Sequence, residues 1–179
     1  MRQDIKISVL IERDRIMKRV SELAERITKD YQGLDFVMVG VLKGSFLFLS
    51  DLCRMIPHAM SVDFLGLSSY GAGTESTGVV KITSDLTIPI ADRHVLIVED
   101  IVDTGLTLNY LIENLSTRMP KSIRICTLLY KPSNIIKPVP LDYVGFEIEN
   151  KFVVGYGLDL AEKHRNLSYI GYIEPEAVK

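Results

Sequence analysis

The chain has 179 residues, enough for one domain with a full hydrophobic core and a small accessory lobe. Hydrophobic residues make up 47% and charged residues 25%, an ordinary globular balance, and the formal net charge is −2. With no basic field to hold a polyanion, nucleic acid is an unfavoured partner, whereas a small anion could still bind at a local site.

The N-terminal stretch MRQDIKISVLIERDR is charged and lacks the apolar run of a signal peptide. No apolar run approaches a membrane span, so no membrane partner is expected and the expected location is cytoplasmic. Cys53 and Cys126 form no CxxC pair and are read as free thiols in a reducing compartment.

The first helix is predicted from about Glu12 to Tyr31, with Ile16, Val20, Leu23 and Ile27 at helical spacing and Gly33 as its stop. Phe36–Val41 reads as a strand buried on both faces. Leu42-Lys43-Gly44 is a sharp break. Ser45–Met55 reads as a helix with Phe46, Leu49 and Leu52 inward. Ser61–Leu67 is a predicted strand, and Val79–Ile82 is its expected partner. Between them, Gly66–Gly78 holds four glycines and many hydroxyl residues, which reads as a long surface loop with a functional task.

Val95–Val98 is a second buried strand. Thr107–Arg118 is a helix with Leu108, Leu111, Ile112 and Leu115 on one face. Ile123–Leu129 and Tyr143–Ile148 are further strands, and the three prolines in Lys131–Pro140 make that segment a connection. This alternation predicts an α/β fold with a mostly parallel sheet flanked by helices. A core of about residues 35–148 is expected. The N-terminal segment with the first helix, and about residues 149–179, fall outside the alternation and are expected to form a separate hood lobe within one domain.

Ligands of open parallel sheets bind beyond the carboxyl ends of the strands. There the chain places Glu99 and Asp100, a turn, then Asp103-Thr104-Gly105-Leu106-Thr107 and a helix start. Unpaired N–H groups and the helix dipole suit a phosphate, Gly105 permits close backbone approach, and Thr104 and Thr107 add hydroxyl donors. Carboxylates beside such a seat suit ribose hydroxyls and Mg²⁺. The competing reading makes Glu99, Asp100 and Asp103 solvated loop charges, with Asp103 or Thr107 capping the helix.

Val95–Thr107 (VLIVEDIVDTGLT) resembles the signature of the type I phosphoribosyltransferases, and the rest of the chain resembles their hypoxanthine-guanine branch. The matching stretches are VLKGSFLF at Val41–Phe48, SVDFLGLSSYG at Ser61–Gly71, LLYKPS at Leu128–Ser133, DYVGFEIENKFVVGYGLD at Asp142–Asp159 and EKHRNLSYIG at Glu162–Gly171. Leu106 departs from relatives that carry a polar or basic residue there.

The resemblance implies a type I phosphoribosyltransferase fold with a hood. It implies transfer of phosphoribose from phosphoribosyl diphosphate to hypoxanthine or guanine, with Mg²⁺ as cofactor. Acceptance of xanthine, or a non-catalytic nucleotide-sensing regulator on the same fold, are the alternatives. By the same resemblance, Glu99, Asp100, Asp103, Thr104, Gly105, Leu106 and Thr107 bind the phosphoribosyl group, and Lys43, Gly44 and Arg165 bind diphosphate. The Leu42-Lys43 peptide can be cis in the family. Lys131, Phe152 and Val153 bind the purine, and Asp159 with Glu99 and Asp100 serves the metal. Asp103 is the implied general base, Ser69 and Tyr70 lie on a lid, and a homodimer or homotetramer is expected.

Overall fold

The computed structural model describes residues 6–69 and 80–173. Tyr70 and the rest of the expected lid, 71–78, lie outside the described residues. Ser69 is the last residue of its strand.

Two sheets make up the structure. The larger has six strands in the order β4-β3-β2-β5-β6-β7, formed by β2 (Phe36–Leu42), β3 (Ser61–Ser69), β4 (Val80–Ser84), β5 (His94–Val102), β6 (Ser122–Tyr130) and β7 (Tyr143–Glu147). All neighbours are parallel except β4, which runs antiparallel to β3. The smaller sheet has the order β1-β9-β8, from β1 (Ile7–Ile11), β9 (Ile170–Ile173) and β8 (Phe152–Val154), all antiparallel.

Helices cover both faces of the large sheet. The helix α1 (Arg13–Asp30) buries Ile16, Val20, Leu23, Ala24 and Ile27, and α2 (Phe46–Met55) buries Phe48, Leu49 and Leu52. Both stripes join one apolar cluster with Phe36, Met38, Leu96 and Val98. The helix α3 (Leu106–Ser116) packs Leu108, Leu111 and Leu115 on the other face, with Val37, Val39, Val95 and Ile97. Alternate residues of β2 and β5 therefore feed opposite cores, which is why β2 and the Val95–Val98 stretch of β5 are continuously apolar.

Three expectations change. The first helix belongs to the main core, not to the hood: Arg19 on α1 donates to the carbonyls of Val144 and Gly145 on β7 at 2.8 Å each. On α2, Phe48 faces inward, whereas Phe46 is 38% exposed. Four apolar residues in succession leave the choice of face to packing, and the pair Phe48 and Leu52, one turn apart, wins it. Finally, β5 does not stop at Val98. It stays paired with β6 through Glu99↔Thr127, Ile101↔Leu129 and Val102↔Tyr130, so Glu99 and Asp100 are strand residues.

The hood is built by strands too short for a clear sequence period. Its inner residues Ile11, Val153, Tyr156, Leu158 and Ile170 share the α1/α2 cluster, so the two sheets pack on one another. Cys126 is fully buried and Cys53 partly so, and both are free.

The chain leaves β2 by α2 toward β3 and leaves β5 by α3 toward β6, on opposite faces and in opposite directions. The carboxyl ends of these adjacent strands thus flank a topological switch point, the place where open α/β sheets form a crevice.

Candidate active site

The ends of β2 and β5 deliver the two halves of the site. After β2 comes the Leu42-Lys43 peptide, which is cis, and then Gly44. A side chain at Gly44 would run into the Asp100 carboxylate, and one at Gly157 would run into the Gly44 carbonyl. Backbone from β2, a carboxylate from β5 and backbone from the loop after β8 therefore stack in contact. Gly157 has φ +102°, a conformation that L side chains rarely adopt.

Around this stack lie the expected diphosphate and metal residues. The Arg165 guanidinium donates to the Gly157 carbonyl at 2.8 Å and pairs with Asp159 Oδ1 at 2.8 Å. Asp159 Oδ2 also accepts the Glu162 N–H at 2.8 Å. Glu162 reaches Lys43 Nζ at 3.0 Å and Arg165 Nη2 at 3.3 Å, and these two cations hold its carboxyl below the usual range.

The acidic pair is strained electrostatically. Glu99 is 9% exposed, and its Oε2 is buried with no hydrogen-bond partner. Burial first, and then the neighbouring Asp100 carboxylate, push the Glu99 carboxyl well above its ordinary value. Asp100 is raised to about 6 by burial, against the opposing pull of the Ile101 N–H (2.8 Å to Oδ1) and of Arg165. Two adjacent carboxyls, Asp100 part-buried and Glu99 buried with an unused oxygen, form a hard-oxygen donor set that suits a divalent cation or ribose hydroxyls.

Residues 103–107 form the other half. The N-cap of α3 is Gly105 at φ +79°, with no side-chain cap, so neither Asp103 nor Thr107 is spent on capping. The Thr104 carbonyl accepts from the N–H groups of Ile136 (3.0 Å) and Lys137 (3.1 Å). Asn109 Nδ2 donates to the carbonyls of Gly105 (2.9 Å) and Pro138 (3.1 Å). The proline-rich connection thus braces the loop that leads into α3, whose first residues are Leu106 and Thr107.

Asp103 is held at both oxygens. Lys131 Nζ lies 3.0 Å from Oδ2, and Asn134 Nδ2 lies 2.8 Å from Oδ1. Lys131 is only 6% exposed, and its N–H donates to the Val102 carbonyl at 2.9 Å, which ties the start of the connection to the end of β5. Nearby in the chain, β8 presents Phe152 outward at 41% exposure while Val153 is buried. An aromatic ring so exposed on a strand in a buried neighbourhood is available to stack on a flat ligand.

The model of the phosphoribosyl transferase domain family matches residues 10–161. The hypoxanthine-guanine phosphoribosyltransferase of Mycobacterium tuberculosis (strain CDC 1551 / Oshkosh) is 51% identical, over 96% of this chain and 88% of its own. The chain belongs to the hypoxanthine-guanine phosphoribosyltransferase family. The Bacillus subtilis hypoxanthine-guanine phosphoribosyltransferase is 48% identical, over 98% of this chain and 97% of its own. A crystal structure of a Staphylococcus aureus hypoxanthine phosphoribosyltransferase superposes with a TM-score of 0.92 at 47% identity, covering 98% and 95% of the two chains. The α/β architecture with a mostly parallel sheet is that of this enzyme family, a family of transferases.

Within this family frame, three polar residues at the site carry no signal in the sequence reading. Asn134 and Asn150 join the Asp103 cluster, and Glu162 joins the Lys43–Arg165 cluster. Their types are ordinary for loops. Only the tertiary fold brings them to charged partners. His58 and His94, which show no ligand spacing, bond to the Thr28 carbonyl and the Ser122 hydroxyl, as structural histidines do.

Proposed function

We propose that this chain transfers the 5-phosphoribosyl group of phosphoribosyl diphosphate to hypoxanthine or guanine in purine salvage. The observation that carries the reading is the division of the crevice. Asp100, Gly44 and Gly157 meet at one point, Asp103 is held by Lys131 and Asn134 at another, and the chain runs on from Asp103 into the start of α3.

In the reaction the sugar C1–oxygen bond to diphosphate breaks and a bond from C1 to a purine ring nitrogen forms. The amides at the start of α3, with the Thr104 and Thr107 hydroxyls and Leu106 contributing backbone, seat the 5-phosphate. Glu99 and Asp100 accept from the ribose hydroxyls. Lys43, Gly44 and Arg165 receive the diphosphate. Phe152 stacks on the purine, worth about 1–3 kcal/mol, and Val153 offers its backbone to the base edge. Lys131 donates to the exocyclic oxygen, which disfavours adenine because an amino group there would set donor against donor. Asp103 takes the proton from the ring.

Among the described residues no three acidic groups converge, so Mg²⁺ would rest on Glu99, whose unused oxygen fits it, and Asp100, directly or through water, with Asp159 contributing only from the diphosphate side. When bound, it would supply charge neutralisation for the leaving diphosphate. The partly exposed apolar residues Phe46, Val62 and Phe64 lie on α2 and β3, and Phe64 sits with Leu49 over Gly40. They support self-association as a homodimer or homotetramer.

The test is a steady-state comparison. Purified protein with phosphoribosyl diphosphate and Mg²⁺ is assayed for diphosphate release with hypoxanthine, guanine, xanthine and adenine. Turnover with the first two is expected, xanthine being the open case, and no turnover with any base would remove the reading.

A further inference from the structure

Asp103 has two oxygens with different partners. Oδ2 faces the Lys131 ammonium at 3.0 Å, and Oδ1 accepts from Asn134 Nδ2 at 2.8 Å. The same Asn134 nitrogen lies 2.8 Å from Asn150 Oδ1. A carboxylate can only accept, so the Asn134 nitrogen must face Asp103, and the Asn150 oxygen on its second hydrogen fixes that choice.

Local structure explains how Asn134 arrives. Pro132 opens a single 3-10 turn over Pro132–Asn134, and the Asn134 N–H closes it on the Lys131 carbonyl at 3.1 Å. Residues three apart eclipse in such a turn, so Lys131 and Asn134 point the same way. Proline at the start of the turn has the fixed φ this geometry needs. Asn150 comes from the loop between β7 and β8, two residues before Phe152.

The two partners cannot be equivalent during the reaction. On the reading above, on which this inference rests, Lys131 turns to the purine's exocyclic oxygen. Oδ2 is then released toward the purine. The carboxylate torsion of Asp is broad and would let the group rotate if nothing else held it. A neutral amide on Oδ1 prevents rotation without adding a second cation that would weaken Asp103 as an acceptor.

We propose that Asn134, oriented by Asn150, is a positioning residue that clamps Asp103 Oδ1 so that Oδ2 is the proton-accepting atom. Asn150 extends the clamp to the segment that carries Phe152, so the carboxylate and the stacked ring keep one spacing. A misplacement of about 1 Å at such a group can cost on the order of 100-fold in rate.

The experiment is a double-mutant cycle on the full chain, read as separate kcat and KM values. Asn134→Leu, of similar size and without hydrogen bonds, is expected to lower kcat roughly 10- to 100-fold and leave KM for phosphoribosyl diphosphate unchanged. Asn150→Ala is expected to lower kcat in the same way by a smaller factor. In an Asp103→Asn background, Asn134→Leu is expected to cost nothing further, because residues acting as a unit are non-additive. Melting curves check that each variant is folded, and Asn134→Ser replaces the leucine variant if that one is not.

Full kcat in Asn134→Leu, or an equal loss in both backgrounds, overturns the clamp and leaves Asp103 as the base. Near-normal kcat in Asp103→Asn alone overturns the base assignment and the clamp with it. The two failures are therefore distinguishable.

Discussion

Lys131 and Asp103 form an ion pair at 3.0 Å in which the lysine is almost fully buried and the carboxylate is half exposed. The residue proposed to read the purine thus rests on the residue proposed to deprotonate it. On that proposal, purine binding would exchange one hydrogen-bonding partner of Lys131 for another, and the ammonium would keep a partner inside the protein. This lowers the cost of keeping a cation in so dry a place.

Replacing that lysine tests both duties. Lys131→Ala is expected to raise KM for hypoxanthine and guanine about 10- to 100-fold, the worth of a charged hydrogen bond, and to leave KM for phosphoribosyl diphosphate unchanged. Discrimination against adenine should weaken in the same variant. Initial-rate measurements with three bases check it.

Asp103→Asn keeps the shape and removes the acceptor. It is expected to lower kcat by about 10²–10⁴-fold while altering purine binding little. Comparing kcat with the purine dissociation constant separates the two effects.

The acidic pair predicts a pH response. Asp100, raised to about 6, and Glu99, raised by burial, hold protons in the folded protein that the unfolded chain releases near pH ~4. The folded state binds more protons across that window, so their contribution to stability falls as pH rises from about 4 to beyond 6. A divalent cation bound at the pair favours the ionised forms and reverses the trend. Stabilisation by Mg²⁺ with phosphoribosyl diphosphate should therefore grow between pH 5 and pH 8, and Asp100→Asn should flatten it. Melting temperatures with and without ligand at the two pH values read this directly.

Asp63 behaves in the opposite sense. Burial would raise its carboxyl, but N–H groups from Ile88 (2.9 Å), Phe64 (2.8 Å) and Thr87 (2.7 Å) outweigh it and hold it below the ordinary value. Its stabilisation is complete above the unfolded value of about 4 and is lost as pH falls through the lower folded one. Asp63→Ala is expected to destabilise the protein by about 3 kcal/mol at pH 7, because buried donors lose a charged acceptor. Denaturant titration should show that difference shrinking below pH ~4.

Phe64→Lys puts a charge on the exposed α2–β3 face. If that face mediates self-association, sedimentation velocity should show a shift toward monomer, with the melting curve little changed, since the side chain is 38% exposed.

The main sheet was legible because β2 and the Val95–Val98 stretch of β5 are unbroken apolar runs, as strands buried on both faces are. The acidic end of β5 is legible from its position after an apolar strand, whereas the Lys43-Gly44 end of β2 is legible only through family resemblance. The hood was not legible as strands: β8 has three residues and β9 four, too few to display a period. The face of α2 is not legible in the sequence, because Phe46, Leu47, Phe48 and Leu49 are all apolar and hydropathy does not rank them. Lys131, Phe152 and Asp103 stood out through family resemblance. Asn134 and Asn150 did not, since their significance lies in a 16-residue chain separation closed only by the fold.

The pairing of β1 with β9 sets an order of assembly. Ile7 lies opposite Ile173, so the first described strand has no partner until the chain has been made through β9. The six-stranded sheet needs nothing beyond Glu147 and can close earlier. On a ribosome, the loop proposed to seat the 5-phosphate can exist while the strand bearing Phe152 still lacks its neighbour. Such distant contacts form slowly because loop closure precedes any gain from the contact. Newly made protein should therefore acquire the proposed phosphate seat before it acquires the proposed surface for a base.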